Sequence, residues 1–328
     1  MKMGIKQLIR YGLLGLAVLI SFLPLINPFQ IFTNLQNYSF DTFQGILPRN
    51  IYAEDPVVII DIDDNSLAQV GQWPWSRNAL AQLTNQAYLA AALGFDVVFA
   101  EPDRSNPQNL ISLYPENEIL SKELNALPNN DQLFADAIAN HGTVVLGQAL
   151  SNKNQSSSIT SKYGLVTQGD DPKQFLANYL GVQSNIKLLE DAAQGIGSMS
   201  IGNNDAIVRQ LPTFERIGDQ LIPSLALEIT RVAVGASTYQ IKSSNASSEG
   251  AFGSQTGINH VKLGPLTIPP TPSGNAWIYF ASSNDIQTVS AADVLSGIIP
   301  PEFFEGKGSS IKKAQQVAAE MLLKNIKF

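Results

Sequence analysis

Five carboxylates, two arginines and two tryptophans crowd two short stretches of this 328-residue chain. Asp61, Asp63 and Asp64 stand in DIDDNS, Trp73, Trp75 and Arg77 in GQWPWSR, and Glu101, Asp103 and Arg104 in EPDR. Acidic side chains so grouped suit a cation or a cationic ligand, with the tryptophan rings as one wall of the site. Around a divalent cation, Asp61, Asp63, Asp64 and Glu101 would be the groups of a metal-assisted hydrolase. The plainer role is local, since Asp and Asn cap helices and close turns, and arginines pair with nearby carboxylates. Catalysis lacks a dedicated nucleophile or general base. The two histidines, His141 and His260, are far apart in sequence and have no partner at ligand spacing, so they do not support zinc. With no cysteine, neither a disulfide framework nor a thiolate metal site is possible. No catalytic residue, enzymatic activity or cofactor is therefore expected, and the nine residues stand as candidate ligand-binding positions.

The elements that must position them are strands and a helix. Val57 to Ile60 is a continuous apolar run. From Arg77 to Leu93 the residues Leu80, Leu83, Ala87 and Ala90 recur at helical spacing, with Ser76 as cap and Gly94 as stop. A second apolar run, Phe95 to Ala100, leads into EPDR. Strand, helix and strand of this kind predict a right-handed βαβ unit, because strands this apolar need cover on both faces. Loops leaving the carboxyl ends of such strands line the crevice where open α/β sheets bind ligands, and those loops carry the carboxylates. The expected fold class is α/β, a mixed sheet with flanking helices built on a βαβ core and preceded by one amino-terminal transmembrane helix.

At these residues the chain resembles a known family, the second type of CHASE domain (cyclase and histidine kinase associated sensory extracellular domain). DIDDNSLAQVGQWPWSR, GFDVVFAEPDRSNP, DQLFADAIANHGTVVLGQAL, DAIVRQLP, IPSLALEI and TVSAADVLSGIIPPEFFEGK come in the family's order, covering roughly residues 35–307. The resemblance implies a bacterial extracytoplasmic sensor, in the family usually fused to a cyclase, kinase or diguanylate cyclase module. It transfers no ligand or catalytic residue.

The amino terminus bears on the compartment. Tyr11 to Ile26 is almost wholly apolar behind Lys2, Lys6 and Arg10, and apolar residues extend it to about 32. This predicts an uncleaved span over 11–32 with residues 1–10 in the cytoplasm, and a single-pass protein of the inner (cytoplasmic) membrane whose main domain lies in the periplasm or outside the cell. A cleaved signal peptide is the rival, without a clear small-x-small site to support it. Between residues 11 and 306 the chain carries 13 basic against 27 acidic side chains, a net charge of −14 that disfavours nucleic acid and anionic lipid. The expected partners are the membrane, a small molecule or cation, and a second copy or a separate signalling chain.

The remaining segments fill in the domain over 35–307. Leu35 to Leu47 is expected to dock on it, Asp131 to cap a helix ending at His141-Gly142, and Val144 to Leu146 to form a core strand. Gly195 to Phe214 is expected to hold a β-hairpin turning at 203–205, and GIGSMSIG within it lacks the lysine and the strand-to-helix context of a phosphate loop. Pro223 should open a helix, and the Ser/Gly/Asn-rich run from Ser237 to Asn259 should be an exposed or disordered loop. Ala276 to Phe280 reads as a strand and Ser290 with Asp293 as a capping box. After Lys307 the basic amphipathic tail 308–328 departs from the family's continuation, an expectation of a receptor truncated before its output module. The alternative to a sensor, besides the hydrolase, is a structural membrane-tethered interaction protein.

Overall fold

The computed structural model describes residues 10–11, 13–15, 31–50, 57–111, 114–154, 159–202, 207–246, 256–281 and 286–305. The expected membrane span over 11–32 and the tail 308–328 fall almost wholly outside these residues, and no helix among those described is long and apolar enough to cross a membrane. The chain divides into two compact units.

The first unit holds α1 (Ile31–Ile46), none of whose residues is buried. A short segment closes it: Arg49 pairs in parallel with Ala281, the Tyr279 hydroxyl donates to the Leu47 carbonyl at 2.8 Å, and the Phe280 amide donates to Gln44 at 3.2 Å. So the expected docking of Leu35 to Leu47 has a local partner in residues 279–281.

The second unit begins with β1 (Ile59–Asp61), α2 (Asp64–Val70), α3 (Arg77–Gln86) and β2 (Leu93–Phe95). Ser76 caps α3 as its type predicts, accepting from the Ala79 amide at 3.3 Å. The helix ends earlier than its periodicity suggests, with Ala87 as cap, and Gly94 lies inside β2 rather than stopping the helix. Beyond it come α4 (Pro107–Ile111), α5 (Glu118–Ala126) and α6 (Asn130–His141), whose true cap is Asn129 and not Asp131. Then β3 (Val144–Ser151) runs through the centre of the sheet, with Val144, Val145 and Leu146 fully buried.

The predicted βαβ unit is corrected here. β1 pairs in parallel with a strand near the carboxyl end, while β2 pairs in parallel with β3. The run after Phe95 leaves the ladder because other groups satisfy its backbone: the Phe99 amide donates to Asn185 Oδ1 at 2.7 Å and its carbonyl accepts from the Ile186 amide at 2.8 Å. The same logic operates one step later. β2 reaches β3 through α6, and β3 reaches its other parallel neighbour through a further helix, so β3 is the buried middle strand that needs cover on both faces.

That part of the chain passes through β4 (Gly164–Gln168), β5 (Asn178–Tyr179), β6 (Gly181–Gln183), α7 (Lys187–Ala192) and β7 (Gly195–Ser198). β6 pairs antiparallel with the far end of β3 and β7 parallel with its middle. β8 (Gln210–Pro212) is therefore no hairpin partner of β7, and the expected turn at 203–205 lies outside the described residues. β9 (Phe214–Ile217) and β10 (Gln220–Pro223) form a real hairpin around Gly218-Asp219, with Gly218 at φ 56°. β9 also pairs in parallel with β5. Pro223 closes β10 instead of opening a helix; α8 (Leu225–Ala233) starts after Ser224.

The run expected to be a loop contains β11 (Thr238–Ser243) and β12 (Ile258–Leu263). Alternate residues of both strands are buried, Tyr239 and Ile241 against Val261 and Leu263, so a two-residue period lay within a sequence whose polar half dominated its composition. β13 (Leu266–Ile268) and β4 flank them, and β14 (Asn275–Trp277) pairs with β8. β15 (Thr288–Ser290) pairs with β1 and feeds α9 (Ala291–Leu295).

Two cores result, one under α3, α6, α7 and α9 and another beneath the β11–β12 sheet. α8 carries a buried ion pair: Arg231 grips Glu228 through Nε at 2.9 Å and Nη2 at 2.7 Å, and the Tyr239 hydroxyl donates to the same carboxylate at 2.7 Å. His141 ends α6 with its ring bonded to the Ala87 carbonyl at 3.0 Å, and burial lowers its pKa.

Candidate functional site

Two polar groups that include some of the nine candidate residues lie over one hydrophobic core, which itself contains the candidate Trp75 along with Phe95, Phe99, Phe134, Ala291 and Val294.

The first group joins the ends of β1 and β15. Asp63 caps α2, and its Oδ1 accepts from the Ser66 amide at 2.8 Å, the Ser66 hydroxyl at 2.7 Å and the Ser290 hydroxyl at 2.8 Å. Ser66 Oγ in turn accepts from the Ala292 amide at 3.0 Å. Hydrogen bonds from the Ser66 side chain, the Ser66 backbone and Ser290 favour the ionised form and hold Asp63 below the usual carboxylate range. One carboxylate thus ties the starts of α2 and α9 together. Ser290 spends its hydroxyl on Asp63 and makes no side-chain cap bond to α9, which corrects the expected capping box. Asp61 and Asp64 remain exposed.

The second group is buried around Asp103. Its Oδ2 accepts from the Arg77 amide at 2.7 Å and from Asn130 at 3.1 Å, while Oδ1 accepts from the amide and hydroxyl of Ser105, each at 2.8 Å. The Asp103 amide donates to both oxygens of Asp131, at 3.2 and 3.0 Å, and Asn106 donates to Asp131 at 2.7 Å. Arg77 lies with its guanidinium 4.4 Å from the centre of the Phe99 ring, Nη2 on the Glu101 carbonyl at 3.3 Å and Nε 3.7 Å from Asp131. Burial raises the Asp103 pKa, but the donated hydrogen bonds outweigh it and leave the carboxyl below its ordinary value. Burial also lowers Arg77, and Asp131 and Asp103 work against that.

Trp75 is 4% exposed and donates to the Gly71 carbonyl at 2.7 Å, whereas Trp73 is 38% exposed. Their rings stand 6.1 Å apart, tilted by 58°, across a cis Trp73-Pro74 bond. Glu101 and Arg104 pair with each other at 3.2 Å on the surface. The structure therefore divides the candidates. Asp63, Trp75, Arg77 and Asp103 are engaged inside the protein, and Asp61, Asp64, Trp73, Glu101 and Arg104 face solvent. Among the described residues no group of three or more His, Asp or Glu side chains is arranged to hold a metal ion.

Sequence reasoning missed Asp131, Asn106 and Asn130. The signal was present in SNP and PNND, two Asn-containing turns bracketing a polar excursion, but Asp131 had been spent on a cap that Asn129 supplies.

The family model for the CHASE2 domain matches residues 13–309. The chain belongs to the CHASE2 family. No curated protein and no solved structure matches it. CHASE2 domains are extracellular sensory domains of signalling receptors, so the two buried polar groups are parts of a sensory fold. The WPWSR and FAEPDR segments that carry the resemblance converge on one another: the Arg77 amide and guanidinium bind the FAEPDR loop at Asp103 and Glu101.

Proposed function

We propose that this CHASE2 domain is the signal-input part of a bacterial receptor, held in the inner membrane by a span over 11–32 with its sensory domain outside the cytoplasm. Family membership across residues 13–309 is the observation that carries this reading. The basic flank of Lys2, Lys6 and Arg10 before an apolar run supports the orientation. The ligand-facing edge is the solvent-open set Asp61, Asp64, Trp73, Glu101 and Arg104, whose chemistry suits a cation or a cationic small molecule. The partner that receives the signal is a second copy or a separate signalling chain.

A cyclase output module joined after Lys307 through a membrane helix, in cells lacking their own cyclase, tests the reading. Cyclic nucleotide levels should change when the medium is varied in divalent cations, amino acids, polyamines or pH. Output that stays constant in every medium would reject it.

A further inference from the structure

Glu215, on β9, is a buried acid that no part of the candidate site uses. It is fully buried, and its Oε2 accepts one hydrogen bond, from the Ser198 hydroxyl at 2.6 Å. Among the described residues its other oxygen, Oε1, has no hydrogen-bond partner within normal distance. Ser198 ends β7, a strand of the central sheet, and Glu215 belongs to the separate β10–β9–β5 sheet. Ser198 also accepts from the Ser200 amide at 3.1 Å and pairs in parallel with Ser224 at the end of β10. The Glu215 carboxyl thus lies in the seam between two sheets, beside the backbone bridge from Ser198 to Ser224.

An ionised carboxylate has about four lone-pair sites to satisfy and no donor of its own. With only the Ser198 hydroxyl and the nearby Tyr179 phenol to face it, no cation beside it among the described residues and no water-facing surface, the charged form is poorly accommodated at this seam. The groups facing Glu215 do not neutralise a charge. From β5 comes the phenol of Tyr179, itself raised to about 12 by burial and by this acid. From β10, Ile222 is the residue opposite in register. Arg216, next on the same strand, directs Nη1 to the Gly218 carbonyl at the hairpin turn. On α8, which packs against β7, Glu228 and Arg231 are committed to each other. Burial accordingly pushes Glu215 up to about 7, against the smaller opposing effects of Ser198 and Tyr179.

We propose that Glu215 is a proton-sensing latch: uncharged, its carboxyl can lie in the dry seam between β9 and β7, whereas ionised, with no cation beside it, it draws water into that seam and loosens it. The proposal rests on the sensory reading of the domain and names its stimulus class, the proton. An acid whose folded pKa lies above its unfolded value weakens the fold as pH rises between the two values, so the seam should be firm in mild acid and loose above neutrality.

Hydrogen exchange of the full chain in detergent micelles at pH 6 and pH 8, corrected for the intrinsic pH dependence of exchange, tests this. Protection of the 195–198 and 214–217 amides should fall at least tenfold at pH 8. Glu215→Gln, a neutral side chain of the same shape, should keep them protected at both values. Glu190→Gln changes another buried acid with a raised pKa and should leave the pH response intact. Unchanged protection in the wild type, an equal loss in Glu215→Gln, or loss of the response in Glu190→Gln would overturn the latch. Exchange reads the latch directly, whatever any output module does. A working latch with a cyclase fusion blind to every medium would count against the proposed function instead.

Discussion

At the scale of single residues, position decides between a wall of a site and a brick of the fold. Trp75 is sunk in the core with its indole N–H satisfied, so Trp75→Ala should cost about 3 to 5 kcal/mol in denaturant unfolding, while half-exposed Trp73→Ala should cost under about 1 kcal/mol. The two rings of one WPW turn thus have different work. Asp131 offers a sharper test, because removing it strands three groups at once: the Asp103 amide, the Asn106 side chain and the Arg77 guanidinium. Asp131→Ala should destabilise by about 3 to 5 kcal/mol, the usual cost of leaving a buried charge without its partner. Since Asp103 and Asp131 already have internal donors, millimolar calcium or magnesium should not change the cost of Asp131→Ala, as scanning calorimetry with and without the ion would show. Acid should act where metal does not. Asp103 is held below its ordinary value of 3.8, so its contribution is present above that value and lost as pH falls through the depressed folded one. Asp103→Asn should flatten that acid limb of the stability curve.

At the scale of elements, the sequence was most legible where one physical demand dominated. The apolar stripe of α3, its Ser76 cap and the buried run Val144 to Leu146 all follow from burial on a single period. Pairing was not legible, because an apolar run states that it will be covered and not by which strand. Val57 to Ile60 therefore gave a strand whose partner, β15, lies more than two hundred residues away. The Ser/Gly/Asn-rich stretch hid β11 and β12 because their buried positions alternate with polar ones, and composition averages the two faces together. Of the candidate site, the nearness of Arg77 to Asp103 was readable, but their bond is made by the Arg77 backbone amide, and the carboxylate beside the guanidinium is Asp131, from across the long polar excursion. For the glycines of GIGSMSIG the structure supplies a packing purpose. A Cβ on Gly197 would lie 2.5 Å from the Leu225 backbone, and one on Gly195 2.6 Å from Glu228, so these glycines let α8 press against β7. Gly197→Ala should cost about 1 to 3 kcal/mol or more, since a backbone neighbour cannot swing aside as a side chain can. Chemical denaturation would measure it, with exposed Gly202 as no guide because its φ of 79° strains any replacement by itself.

At the scale of the whole molecule, the charge distribution bears on the orientation proposed for the membrane span. Three basic residues precede the apolar run, and the stretch that follows carries 27 acidic against 13 basic side chains up to residue 306. Basic flanks stay on the cytoplasmic side, whereas acidic residues have little influence on which side a domain ends up, so the flank favours the proposed topology and the acidic domain does not oppose it. A periplasm-active reporter enzyme joined after Lys307 should therefore be active, and a cytoplasm-active reporter at the same place silent. Replacing Lys2, Lys6 and Arg10 by glutamine should mix the two outcomes, because the bias that selects one orientation is then removed while the apolar length is kept. Active cytoplasmic reporter in the unaltered chain would contradict both the span and the extracytoplasmic sensor. The same fusion bears on the latch. A domain outside the cytoplasm meets the pH of the surroundings directly, whereas one inside is buffered by the cell, and an acid poised near neutrality is useful as a sensor only in the first place.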